Sequence, residues 1–192
     1  MSRVGLAAAG VALTLAATGA SQAAPPPDPP PGAAVRLQRL NADLLSHDSA
    51  TAVLQTLCDR RGPPGTRIRA RQVASDEAPA ATAAARRDLG VGPDTPVRHR
   101  RVELLCGEAV FSRADNWYLP DRLTPQMNAA LDTTQTPFGV VVGPLGFQRH
   151  TLSAQALSGS PSEVLQHRAT LATPDGRAFS LVVETYTDEV LR

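Results

Sequence analysis

The chain has 192 residues, with 19 basic side chains against 18 acidic ones and a formal net charge of +1. That balance leaves no basic stripe for nucleic acid or for an anionic membrane surface. Every basic side chain other than histidine is arginine, which excludes Schiff-base and lysine-dependent phosphate chemistry and favours bidentate grip on carboxylates.

Met1-Ser2-Arg3 places a positive charge ahead of the apolar stretch Val4 to Ala20, and Ser21-Gln22-Ala23 supplies the small residues that a signal peptidase reads. Residues 1–23 are therefore expected to form an export signal, cleaved near Ala23 to release a periplasmic or secreted protein. An uncleaved membrane anchor fits less well, because the stretch is short and runs into Pro25-Pro26-Pro27-Asp28-Pro29-Pro30-Pro31, which cannot continue a helix. Residues 24–32 read as an extended proline-rich linker. Residues 33–192 have the length of one domain with one core.

Within that domain, Val35, Leu37, Leu40, Leu44 and Leu45 stand at helical spacing and predict a helix over Ala33 to Ser46. Ser49 can cap a second helix that runs to about Arg60 and stops at Gly62-Pro63-Pro64-Gly65. Thr66 to Ala74 reads as a strand, with Ile68 and Ala70 alternating with three arginines. Asp76 to Gly92 is Ala-rich and is either a short surface helix or an ordered loop. Val97 to Cys106 and Ala109 to Leu119, joined at Gly107-Glu108, predict an antiparallel hairpin that Pro120 ends. Leu123 to Leu131 reads as a helix capped by Thr124 with Pro125 at its first position. After Thr136-Pro137-Phe138-Gly139 and the apolar run Val140 to Val142, three strands are expected over Gln148 to Ala156, Val164 to Ala172 and Phe179 to Tyr186. A Thr173-Pro174-Asp175-Gly176 turn separates the last two. Helices first and antiparallel strands after make an α+β domain with helices packed on one face of the sheet.

Cys58 and Cys106 are an even pair in a chain expected to reach an oxidising compartment, so a disulfide and two buried thiols are both open readings. No metal site is expected: the cysteines lack close paired spacing, and His47, His99, His150 and His167 form no short ligand motif. Signatures of a nucleophile elbow, a P-loop, a dinucleotide fold and a zinc protease are all missing. What remains is Glu184, a carboxylate inside the apolar strand Phe179 to Tyr186, where Val182, Glu184 and Tyr186 share one face. It reads either as part of a solvated or structural ion pair or as one wall of a pocket opposite Arg101. Trp117 and Tyr118 read either as core or as a ring-stacking wall.

The order Arg101-Val102-Glu103-Leu104-Leu105-Cys106, a hairpin to Tyr118-Leu119-Pro120, then Thr136-Pro137-Phe138-Gly139 resembles chorismate lyase. Asp48-Ser49-Ala50-Thr51 and Val183-Glu184-Thr185 extend the resemblance over roughly Leu40 to Val190. It implies the six-stranded antiparallel sheet shared by that enzyme and the effector-binding (UTRA-type) domains of bacterial repressors. It also implies cofactor-free elimination of pyruvate from chorismate, or a related enolpyruvyl compound, to give 4-hydroxybenzoate. Arg101 would hold the ring carboxylate, helped by the Phe138 backbone N–H, and Glu184 would move the proton. Ala50 stands where the family has a pocket methionine, and Trp117 lies where the enzyme's hairpin strand differs. The expected partner is therefore a small aromatic carboxylate bound by a monomer, as substrate or, if turnover has been lost, as ligand of a non-catalytic binding module.

Overall fold

The structure, a computed structural model, describes residues 32–74 and 79–192. The expected export signal and, apart from Gly32, the linker lie outside the described residues. Helices α1 (Ala33–Leu45) and α2 (Ala50–Arg61) come first, followed by β1 (Ile68–Gln72) and α3 (Pro79–Leu89). Strands β2 (Arg98–Cys106) and β3 (Ala109–Tyr118) then form the expected hairpin, and α4 (Pro125–Thr133) and α5 (Phe138–Val142) follow. The chain ends with β4 (Gln148–Ala156), β5 (Glu163–Ala172) and β6 (Ala178–Thr187). The predicted caps are present: Ser49 Oγ accepts from the Ala52 N–H and Thr124 Oγ1 from the Met127 N–H. The run Val140 to Val142 is helical because Pro137 leads directly into the turn that forms α5.

All six strands belong to one antiparallel sheet in the order β1-β2-β3-β6-β5-β4. The β2–β3 hairpin and the β4–β5–β6 meander therefore meet along the β3–β6 seam. Side chains alternate across that seam. Val102, Ala114 and Glu184 are successive cross-strand partners, so they share one face, whereas Arg101, Asp115 and Val183 share the other.

Helices α1 and α2 bury Leu40, Leu44 and Leu54 against Val102, Phe111 and Tyr186 on the Glu184 face. On the same face, Leu131 of α4 and Phe138 and Val142 of α5 pack on Tyr118, Phe179 and Val182. Four of the five helices thus follow the expected one-face arrangement. The fifth, α3, makes the Pro79–Leu89 part of the Asp76 to Gly92 stretch helical and covers the opposite face, where Ala85 and Leu89 pack on Trp117, Leu119 and Leu181. Those apolar side chains have the opposite parity to Glu184 and need a cover of their own. Cys58 of α2 and Cys106 of β2 are joined in a disulfide, with Cα atoms 5.6 Å apart, which fixes α2 to the sheet.

Candidate functional site

On the helix-covered face lies a cavity of about 20 Å³, lined by Ala50, Thr51, Asn116, Phe138, Arg149 and Glu184 among others. The residues come together for local reasons. Ser49 starts α2, so Ala50 and Thr51 present its first turn to the sheet. Pro137 starts α5, and Gly139 lets α5 come close: a Cβ there would lie 3.2 Å from Thr51 Oγ1 and 3.3 Å from Ser49 Oγ.

Glu184 is buried and makes strong contacts. Its Oε2 accepts from Arg149 Nη2 at 2.6 Å and from the Tyr186 hydroxyl at 3.0 Å. The Arg149 side chain is only 4% exposed, and its backbone N–H donates to Asp48 Oδ1 at 2.8 Å. Burial opposes the Arg149 charge more than any other single effect. The combined pull of Glu184, Tyr186 and Asp48 still holds its pKa above the usual arginine value. Burial, and then the Glu184 charge, push the Tyr186 phenol well above its usual range. Behind Glu184, its cross-strand neighbour His167 is fully buried and donates from Nε2 to Asn41 Oδ1 of α1 at 2.8 Å. The His167 and Tyr186 rings meet edge to face with centroids 5.7 Å apart. Burial first, and then Arg149, lower the His167 pKa.

Of the residues expected at the site, Glu184, Phe138 and Ala50 line the cavity. Arg101 and Trp117 do not. Arg101 lies on the opposite face, where its guanidinium donates twice to Asp115 at 2.7 and 3.0 Å. Trp117 packs beneath α3 and stacks on His99 at 4.7 Å. The expected pairing of Arg101 with Glu184 is therefore corrected by parity: Arg101 pairs across the sheet with Asp115, and Glu184 with Ala114.

Two arginines that sequence reading did not select occupy the Glu184 face. One is Arg149, which sits on the edge strand β4, whose exposure along nearly its whole length hides any periodic signal. The other is Arg100, one residue before the expected one, 3% exposed and the cross-strand partner of the cavity residue Asn116. Its Nη2 reaches the Thr134 carbonyl at 3.4 Å, and burial lowers its pKa. Arg100 Nε and Nη1 and Arg149 Nε are buried without a hydrogen-bond partner among the described residues. The alternation Arg100, Val102, Leu104 against Arg101, Glu103 was a legible signal for Arg100. Among the described residues no group of three or more His, Cys, Asp or Glu side chains stands together as a metal site, and no helix is long and apolar enough to cross a membrane.

A six-stranded antiparallel sheet in this order, with helices over the Glu184 face, is the chorismate lyase-like fold. The same fold is seen in PhnF of Mycobacterium smegmatis, 12% identical, with a TM-score of 0.51 over 77% of this chain and 67% of that one. A chain described as the ligand-binding domain of a GntR-family transcriptional regulator from Bordetella bronchiseptica is 16% identical, with a TM-score of 0.45 over 62% of this chain and 85% of that one. YydK of Bacillus subtilis, described as a possible transcriptional regulator, is 12% identical with a TM-score of 0.45; the alignment covers 66% of this chain and 61% of YydK, less than two thirds of that protein. No family model matches. In sequence, the chain is 42% identical over 178 residues to the uncharacterized protein y4mC of Sinorhizobium fredii, which covers 81% of this chain and 75% of that protein. The chain belongs to the same family as y4mC.

Proposed function

We propose that the domain is a non-catalytic binding module for a small anionic ligand, taken up on the helix-covered face between the sheet and helices α2 and α5. One observation carries this reading. Two guanidinium groups are buried on that face, that of Arg149 lining the cavity against Glu184 and that of Arg100 on the strand position paired with the cavity residue Asn116, and three of their nitrogens lack partners among the described residues. Buried guanidinium donors without acceptors are costly, and a carboxylate or similar anion would supply both charge and acceptors. The first turn of α2 adds a positive helix end beside the cavity.

The geometry supports binding better than lyase chemistry. Glu184 is engaged by Arg149 and Tyr186 and holds the guanidinium in place, so its carboxylate is a positioning group in this reading. The protein is further proposed to act outside the cytoplasm. The sequence of residues 1–23 motivates that location, and the Cys58–Cys106 disulfide suits an oxidising compartment.

Thermal unfolding of the purified protein with and without benzoate, 4-hydroxybenzoate and short aliphatic carboxylates tests the reading. At least one is expected to raise the midpoint in a concentration-dependent way. Arg100→Met is expected to fold with equal or greater stability, because it removes a buried charge with two unpartnered donors, and to lose that shift. Incubation with chorismate is expected to release no 4-hydroxybenzoate. Release of product would replace the binding reading with the lyase one, and an unchanged shift in Arg100→Met would overturn the role given to the buried guanidinium.

A further inference from the structure

The cavity holds about 20 Å³, room for roughly one water-sized group, so a ligand anchored there must extend beyond it. Directly adjoining is a groove of about 620 Å³ between α2, β1 and the segment leading into α5, and Ser49 and Thr51 line both spaces. That volume is in the range that accepts a small molecule. The wall of the groove carries Arg67 and Arg69 from the β1 side and Gln135 and Thr136 from the other, with no Asp or Glu among its lining residues.

The two arginines are available in different degrees. Arg67 is exposed. Arg69 donates to the Gly107 carbonyl at 3.2 Å and makes longer contacts, at 3.5 Å, to Gln135 and the well-exposed Glu108 carboxylate. Exposed ion pairs of that kind contribute little and exchange readily. Pro137 and the exposed Val140 supply an apolar floor to the groove.

We infer that the ligand is an extended molecule with two anionic ends, one held at the buried Arg100–Arg149 face and the second held in the outer groove by Arg67 and Arg69. This assignment rests on the anion-binding reading above and adds to it the class of ligand: a linear dianion whose apolar middle crosses the Pro137–Val140 floor. Neither arginine lines the inner cavity, so the outer end governs selectivity between ligands, and the inner end governs whether any anion binds.

Linear dicarboxylates from succinate to suberate, each beside the monocarboxylate of equal chain length, are the probes, read by calorimetry on the disulfide-bonded protein. At the matching length the dicarboxylate is expected to bind at least tenfold more tightly than its monocarboxylate. The exposed pair of changes Arg67→Ala and Arg69→Ala is expected to remove that advantage while leaving monocarboxylate affinity within about twofold. Arg100→Met is expected to abolish binding of both series. Equal affinities for the two series at every length, or an advantage that survives the double variant, would overturn the two-ended assignment and leave the inner anion site standing. If neither series binds, or if both survive Arg100→Met, the inner site itself falls and takes this inference with it.

Discussion

The two faces of the sheet carry the same kinds of charge in different surroundings. On the face where α3 packs, which stays open around these residues, Arg71, Glu103, Arg113 and Glu163 form a chain of contacts at 2.6 to 3.4 Å, and Arg101 pairs with Asp115, all with at least one partner well exposed. On the helix-covered face, Arg149 and Glu184 meet at 2.6 Å with side chains 4% and 10% exposed. Water competes for the first set and screens it; the second set has no such escape. The same residue types therefore decorate a surface on one side and set up a binding site on the other. The decisive variable is which side of the pleat a residue falls on.

The largest effect expected from this contrast is at Glu184. Removing one member of a buried pair strands the other, so Glu184→Ala should lose about 3–5 kcal/mol of stability, measured as the urea midpoint at fixed slope. The double variant Arg149→Met with Glu184→Leu should recover most of that loss, because a buried pair exchanged for apolar groups of similar volume is close to neutral. If Glu184→Ala costs no more than a surface substitution, the two faces do not differ as described.

A smaller effect is expected from acid. His167 is held neutral in the fold, with its pKa lowered chiefly by burial and then by Arg149. The unfolded chain therefore takes up the proton first as pH falls. His167's contribution to stability is complete above about pH 6.5, the unfolded value, and is lost as pH falls below it. The titratable and charged groups facing it are Glu184, Arg149 and Tyr186, with Asn41 bonded to its ring. Urea midpoints measured at about pH 7.5 and about pH 5.5 should show a drop in the native protein that is reduced in His167→Gln. An unchanged drop would mean that other groups carry it.

Most of the fold was legible because its signals are local. Helical spacing of Leu37, Leu40 and Leu44, the caps Ser49 and Thr124, and the Gly107-Glu108 turn each depend on a few neighbouring residues. Glu184 was legible as well, since a carboxylate in an apolar strand is conspicuous. The arginines were harder for two physical reasons. Choosing Arg101 over Arg100 is a one-residue error, and with a period of two that sends the side chain to the other face. Arg149 lies on β4, an edge strand exposed along nearly all its length, so no alternation marks its one inward-facing charge. Its partnership with Glu184 spans two strands and exists only once the sheet is assembled. The helix α3 was ambiguous because the need for it comes from Trp117 and Leu181, far from its own residues.

The smallest effect expected is at Arg101. Its side chain is 42% exposed and its partner Asp115 also bonds His99 at 2.7 Å, so the carboxylate keeps a partner when Arg101 is removed. Arg101→Ala should therefore cost about 0–1 kcal/mol of stability. More tellingly, it should leave carboxylate affinity unchanged, because the backbone of the sheet stands between this guanidinium and the cavity. The neighbouring Arg100→Met should do the reverse, sparing stability and removing binding. Two adjacent arginines with opposite responses in the two measurements would place the ligand on the helix-covered face. A loss of affinity in Arg101→Ala equal to that in Arg100→Met would instead mean that the open face takes part in binding.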